Sequence, residues 1–238
     1  MERGTGTYHD DMDARIRTLG IIGAGRLGTV LATLGVAAGH QVRVARSGAP
    51  EPITRAMAAI GASAGSVQSV IADADAVVLA LPLGSYRTLP AEQLRGMLVI
   101  DAMNYWWGAD GIRPDLTDPR TSTSELVQAF LPKARVVKAL GHMGYQDLED
   151  EARPAGTAGR KAIAIAGDRA DDLAVVARLV DGLGFDPVIA GPLASGIMLE
   201  PGAEAFGADV DAEELRAMLD RFPASQRGIV VARARAQG

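Results

Sequence analysis

The chain has 238 residues, 48% of them hydrophobic and 22% charged, a balance ordinary for soluble globular proteins and long enough to bury a core without staples. It has no cysteine, which excludes disulfides, thiolate metal sites and a cysteine nucleophile. A formal charge of -5 argues against a nucleic-acid partner, which calls for a basic face. No apolar run reaches the ~18 residues that a membrane span needs, so the chain is expected to be cytoplasmic and free of membrane.

Residues 1–15 read as a flexible leader, because Glu2, Asp10, Asp11 and Asp13 come without the apolar stretch of a secretory signal. Thr18–Ile22 is a short apolar strand. Arg26–Ala38 is an amphipathic helix with Leu27, Val30, Leu31 and Leu34 on its buried stripe, stopped by Gly39. Gln41–Ala45 is the second strand, and Pro52–Ile60 a helix opened by proline. Ala76–Leu81 is a fully apolar run of the kind found in buried parallel strands. A helix is expected over Tyr86–Arg95 and a strand over Met97–Ile100. Ala102–Thr121 is a long connection, and loops of that length are usually functional or disordered.

Ser124–Phe130 reads as a helix and Arg135–Leu140 as a strand. After a polar stretch, Gln146–Arg160, comes a second unit: strand Lys161–Ala166, helix Asp171–Leu183 and strand Pro187–Ala190. Ala212–Arg221 is a further helix. Alternation at this spacing predicts an α/β fold with a doubly wound parallel sheet. Residues 16–145 are expected to form the main domain and residues 146–238 a smaller C-terminal α/β domain.

Gly23-Ala24-Gly25-Arg26-Leu27-Gly28 matches G-x-G-x-x-G. In a chain with 28 glycines the pattern alone is weak, but here an apolar strand leads in and an amphipathic helix leads out. Gly23 suits the tight turn, Gly25 the approach of a diphosphate, and Gly28 close packing of helix on sheet. Amides at the start of the helix would face the phosphates. Gly23, Gly25, Arg26, Leu27 and Gly28 are therefore candidate dinucleotide-binding residues, against the alternative of a tight turn without a ligand.

NAD binders carry an acid at the end of the second strand, about 20 residues after the glycines. This chain has Arg46 and Ser47 there. A guanidinium attracts the 2'-phosphate that a carboxylate would repel, so NADP is the expected cofactor. Leu81 and Pro82, and Asn104 after the next strand, arrive at the same sheet edge and join the candidate cofactor residues. Tyr105, Trp106 and Trp107 form an aromatic loop suited to a flat ligand, or to a partner surface. His142 follows a strand end and is a candidate proton donor, although a lone histidine in a loop is more often structural. No metal-binding signature is visible.

On these residues the chain resembles the NADPH-dependent F-420 (deazaflavin) reductase family over roughly Thr18 to Glu204. The resemblance rests on Gly23–Gly28, on Arg46-Ser47 and on Val137–Met143. It also rests on Ala166-Gly167-Asp168, Phe185–Ala194 and Leu199-Glu200-Pro201-Gly202. It implies a Rossmann domain with a small C-terminal α/β domain, a homodimer, and hydride exchange between NADP and a deazaflavin or flavin. Together with the aromatic loop, it gives a substrate pocket of Tyr105, Trp106, Leu140, His142, Met143 and Leu193. Two alternatives stay open: reduction of a small carbonyl or imine, with His142 or Tyr145 supplying the proton, and a non-enzymatic NADP(H) sensor.

Overall fold

The structure, a computed structural model, describes residues 15–237, so the expectation for the leader lies, Arg15 apart, outside the described residues. Eight strands form one sheet: β1 (Thr18–Ile22), β2 (Gln41–Ala45), β3 (Ser63–Gly65), β4 (Ala76–Leu79), β5 (Leu98–Asp101), β6 (Arg135–Lys138), β7 (Ala162–Gly167) and β8 (Asp186–Gly191). Their order is β3-β2-β1-β4-β5-β6-β7-β8. From β3 to β6 every pair is parallel, as is β7 with β8, while β6 and β7 run antiparallel. This is the expected α/β fold. The chain winds outward from β1 to β3 and then restarts at β4 on the other side of β1. That reversal opens a crevice at the carboxyl ends of β1 and β4, where ligands of such sheets lie.

The inner strands are apolar throughout because both faces are covered. On one face α1 (Arg26–Ala37) supplies Val30 and Leu31 to a core with Leu19, Ile21 and Val44. On the other, Leu79, Val99 and Val136 pack with Tyr86, Leu94 and Val127. Tyr86 meets Phe130 edge to face at 5.5 Å.

The strands after residue 145 extend this same sheet: Val137 pairs with Gly167 and Lys138 with Ala166. Residues on either side of 145 therefore share one sheet. Helices α7 (Ala170–Gly182) and α8 (Ala212–Arg221) cover the added strands. Arg160 anchors the preceding loop by pairing with Asp181 at 2.8 Å and Asp186 at 2.6 Å.

The expected helix over Tyr86–Arg95 is instead a 3-10 turn, Leu83–Thr88, followed by irregular turns. The reason is Pro90, which holds Leu89 in an extended conformation (φ -66°, ψ 142°) and stops helical propagation. The fold also contains α2 (Glu51–Ala59), β3 and then α3 (Val67–Asp73), whose first turn is capped by Ser66 accepting from the Ser69 N–H at 3.2 Å. The short α4 (Trp107–Asp110) lies within the long connection. Next comes α5 (Thr123–Phe130), which opens with a reciprocal Ser122/Glu125 capping box. The polar stretch after β6 begins with α6 (Tyr145–Asp150), and α9 (Gln226–Ala236) closes the chain. Among the described residues no helix is long and apolar enough to cross a membrane. No group of three or more His, Asp or Glu among them is placed to hold a metal ion.

Candidate functional site

The turn between β1 and α1 sits at the crevice. Gly23 has φ +123°, and a Cβ there would lie 2.1 Å from the Ala80 carbonyl oxygen. A Cβ on Gly28 would lie 1.8 Å from the Gly23 oxygen. Glycine is thus required at both ends of the turn by backbone packing. Gly25 is different: a Cβ there would meet nothing within 4 Å. It is the N-cap of α1, it makes no side-chain cap hydrogen bond, and the first turn carries no acid. Open space over an uncapped helix start is what an anion approaching the backbone needs.

A cleft of about 620 Å³ runs from this turn along the sheet edge, within the range of ligand pockets. Gly23, Gly25, Arg46, Ser47, Leu81 and Pro82 line it, which brings six of the candidate cofactor residues together. Among the described residues the Arg46 side chain has no hydrogen bond or ion pair, so its guanidinium is available to a ligand. The residues present fit NADP: an open glycine cradle for the diphosphate and a cation at the end of β2 for the ribose phosphate.

A second cleft, also about 620 Å³, lies between α1 and α6 and shares Ala24 and Gly25 with the first. Here Arg26 donates to the Tyr145 hydroxyl at 2.5 Å and lies 5.6 Å from the centre of that ring.

Residues 18–105 match the family described as NADP oxidoreductase, coenzyme F420-dependent. The Escherichia coli (strain K12) protein YjhV is 36% identical over 75 residues, which are 32% of this chain and 53% of that protein, so the chain spans about half the length of this curated relative. The structure is similar to that of the hypothetical protein SMa0349 from Sinorhizobium meliloti, with TM-score 0.71 and 28% identity over 81% of this chain and 94% of that one. It is also similar to a candidate F420-dependent NADP-reductase from Arthrobacter sp. FB24, with TM-score 0.61 and 26% identity over 77% and 90% of the two chains.

Within residues 18–105, two candidate cofactor residues stand away from the first cleft. Arg26 lines the second cleft, held there by Tyr145. Leu27 packs against the core beneath α1, as its place on the apolar stripe of the helix requires. Asn104 is tied into its surroundings: its amide donates to the Gly141 carbonyl at 2.6 Å and accepts from Lys138 at 3.3 Å. Lys138 itself is fully buried, donates to the Met103 carbonyl, and lies 3.9 Å from the equally buried Asp101. Asp101 in turn accepts from Met103 N at 2.9 Å and from Ser124 Oγ at 2.6 Å.

The candidate substrate residues are dispersed. Leu140, Met143 and Leu193 are buried in the two cores. Leu140 bends the chain at the end of β6 with φ +65°, a conformation rare for a non-glycine residue. The Tyr105 hydroxyl donates to Gly111 O at 2.8 Å and accepts from Arg113 N, and its ring borders a small recess of about 90 Å³ beside Glu200 and Arg227. Trp106 is 56% exposed and Trp107 70%. Asp110 ties their loop to the turn after β4: it accepts from Gly84 N at 2.7 Å, between the cleft-lining Pro82 and Ser85, and from Trp106 N at 2.9 Å.

The role of His142 as proton donor is corrected by its surroundings. Its ring is only 2% exposed; Nε2 accepts from Ala164 N at 3.0 Å, which places the proton on Nδ1, and that donates to Ala205 O at 3.1 Å. Burial pushes its pKa down to about 4, so the ring is neutral near pH 7 with both nitrogens engaged by backbone. His142 ties the end of β6 to β7 and to the segment after the 3-10 turn Leu193–Leu199.

Sequence reasoning passed over Ile53, Val67, Ser85, Thr88, Leu89 and Pro90, all of which line the first cleft. The signal available was the pair Pro82 and Pro90 bracketing a short turn straight after a buried strand. Ser66 before Val67, a capping residue ahead of a short apolar run, was a second.

Proposed function

We propose that this protein is an NADP-dependent oxidoreductase that transfers a hydride between NADPH and an acceptor with a flat conjugated ring, of deazaflavin or flavin type. The observation that carries the reading is the glycine turn at a sheet crossover opening into a cleft that ends at an unpaired arginine. The match of residues 18–105 to an NADP oxidoreductase family supports the same reading.

When bound, the nicotinamide supplies the hydride. This chain supplies the rest: the Gly25 backbone for the diphosphate, Arg46 and Ser47 for the 2'-phosphate, and Leu81 and Pro82 to border the crevice beyond it. Transfer between two stacked rings depends on proximity and orientation. It moves two electrons and one hydrogen nucleus to the acceptor, which takes its second proton from water, so no buried acid is needed.

Reduction of a small carbonyl or imine is favoured by one feature, the Tyr145 hydroxyl at the second cleft. Stopped-flow loss of NADPH absorbance with deazaflavin, flavin, carbonyl and imine panels separates the two. Ring acceptors should react, and Tyr145→Phe should leave their rate within about fivefold. A ~100-fold loss in Tyr145→Phe, confined to carbonyl or imine substrates, would overturn the ring-acceptor reading. NADPH binding with no turnover in any panel would turn the reading to a sensor.

A further inference from the structure

The loop after β5 has its polar groups engaged and its large apolar ones in water. The Tyr105 hydroxyl is used by Gly111 and Arg113, and the Asp110 carboxylate by the Trp106 and Gly84 N–H groups. The Trp106 carbonyl accepts from Ala109 N and Asp110 N, and the Trp107 carbonyl from Gly111 N, each at 2.9 Å. The backbone is thus fixed, yet Trp106, Trp107 and Ile112 are exposed. Trp106 and Trp107 are the chain's only tryptophans. Flat side chains that are exposed and already held suit a ligand or partner, because little freedom is lost when they are covered.

The place of the loop favours a ligand. Along the sheet edge the first cleft passes from Arg46 after β2, over the glycine turn after β1, to Leu81 and Pro82 after β4. The next strand is β5, so its loop is what a ligand meets beyond β4. The two segments are joined at Gly84, between the cleft-lining Pro82 and Ser85. Its N–H donates to Asp110 at 2.7 Å and its carbonyl accepts from Arg113 at 3.4 Å. The aromatic loop therefore rims the crevice on the side away from Arg46.

Charge on this rim is balanced. Arg113 holds Asp115 through hydrogen bonds of 2.9 and 2.7 Å, and Arg120 pairs with Asp118 at 2.6 Å. Arg87 lies 5.2 Å from the centre of the Tyr86 ring, and Asp115, held below its ordinary pKa first by Arg113, also feels Arg87. With Asp110, three carboxylates stand against three guanidiniums. Among the described residues the rim thus offers an aromatic surface without net positive charge.

We propose that Trp106 and Trp107 form the wall on which the hydride acceptor stacks, and that the acceptor is recognised by an uncharged conjugated ring rather than by an anionic substituent. The inference rests on the oxidoreductase reading above and adds to it the place of the acceptor and the group that is read.

Riboflavin and flavin mononucleotide share one ring and differ by a phosphate, so they separate a reader of the ring from a reader of charge. Quenching of flavin emission, with NADP present, gives Kd for the wild type, a Trp106→Ala/Trp107→Ala double variant and a Trp106→Phe/Trp107→Phe double variant. The wild type should bind the two flavins within about threefold of each other. The alanine pair should weaken both alike by ~10-fold or more, and the phenylalanine pair should restore most of the loss. NADPH affinity and the urea midpoint should not follow these changes. A wild-type preference of ~10-fold or more for the mononucleotide overturns the proposal. So does the absence of quenching by either flavin. Flavin affinity unchanged in the alanine pair also overturns it, and would give the loop to a partner surface instead. Failure of the oxidoreductase reading itself has another signature: no NADPH binding to the wild type.

Discussion

Along the carboxyl edge of the sheet, the β1, β2 and β4 side leaves its polar groups open, whereas the β5 and β6 side closes on its own. At the open end stand the uncapped start of α1 and the unpaired Arg46. At the closed end, Asp101, Lys138, Asn104 and His142 are satisfied by one another, by Ser124 and by backbone. Both ends carry residue types found in active sites, so type alone does not mark one. What separates them is whether donors and acceptors are already used. A polar group left unsatisfied in an otherwise paired structure points to a ligand, while a paired one points to the architecture.

The comparison breaks first, if it breaks, at Lys138. Lys138→Met strands Asp101 and the Met103 carbonyl in the interior, and should cost roughly 3–5 kcal/mol in urea unfolding. A loss below about 1 kcal/mol would mean that the closed end is not held by this group. His142→Ala should cost roughly 3 kcal/mol, because the Ala164 N–H and the Ala205 carbonyl lose their partner. Turnover of the folded fraction should stay within about threefold; a ~100-fold fall would return His142 to the chemistry.

The pH dependence sharpens the same point. Folded His142 titrates near pH 4, against an ordinary value of 6.5, because burial disfavours the cation. Between those values the unfolded chain binds more protons, so this contribution to stability is present above pH 6.5 and lost as pH falls to 4, by up to about 3 kcal/mol. Burial raises the Glu200 pKa, which acts in the opposite sense: the folded state holds its proton longer, and stability falls as pH rises above 4.5. The difference between wild type and His142→Ala isolates the histidine, and a flat difference from pH 4 to 6.5 would contradict the assignment. The smallest effect is expected at Ser122, whose cap on α5 is one side of the reciprocal box. Ser122→Ala should cost about 1 kcal/mol in thermal or urea unfolding.

The open end was legible in the sequence because its requirements are local. Gly23, Gly25 and Gly28 are spaced by the turn itself, and Arg46 stands a fixed distance along the next strand, so pattern and geometry agree. The inner strands were legible for a similar reason, since burial on both faces leaves an unbroken apolar run. The closed end was not legible: the partners of His142 are 22 and 63 residues away, and those of Lys138 are 34 and 35 residues away. No local pattern reveals that such groups meet. The anchoring of the aromatic loop was hidden for a related reason, because Asp110 joins Trp106 to Gly84 through contacts that the spacing does not encode. Helices α3 and α9 escaped because each is a short or polar segment whose clearest marker is a single capping serine.

The central claim is that the open cleft holds NADP by its extra phosphate. Calorimetric titration of NADPH and NADH into the wild type and Arg46→Glu tests it most directly. The account predicts a wild-type preference for NADPH of ~100-fold, about 3 kcal/mol, that disappears in the variant while NADH binding persists. No association with NADPH, or a preference untouched by the substitution, would contradict it.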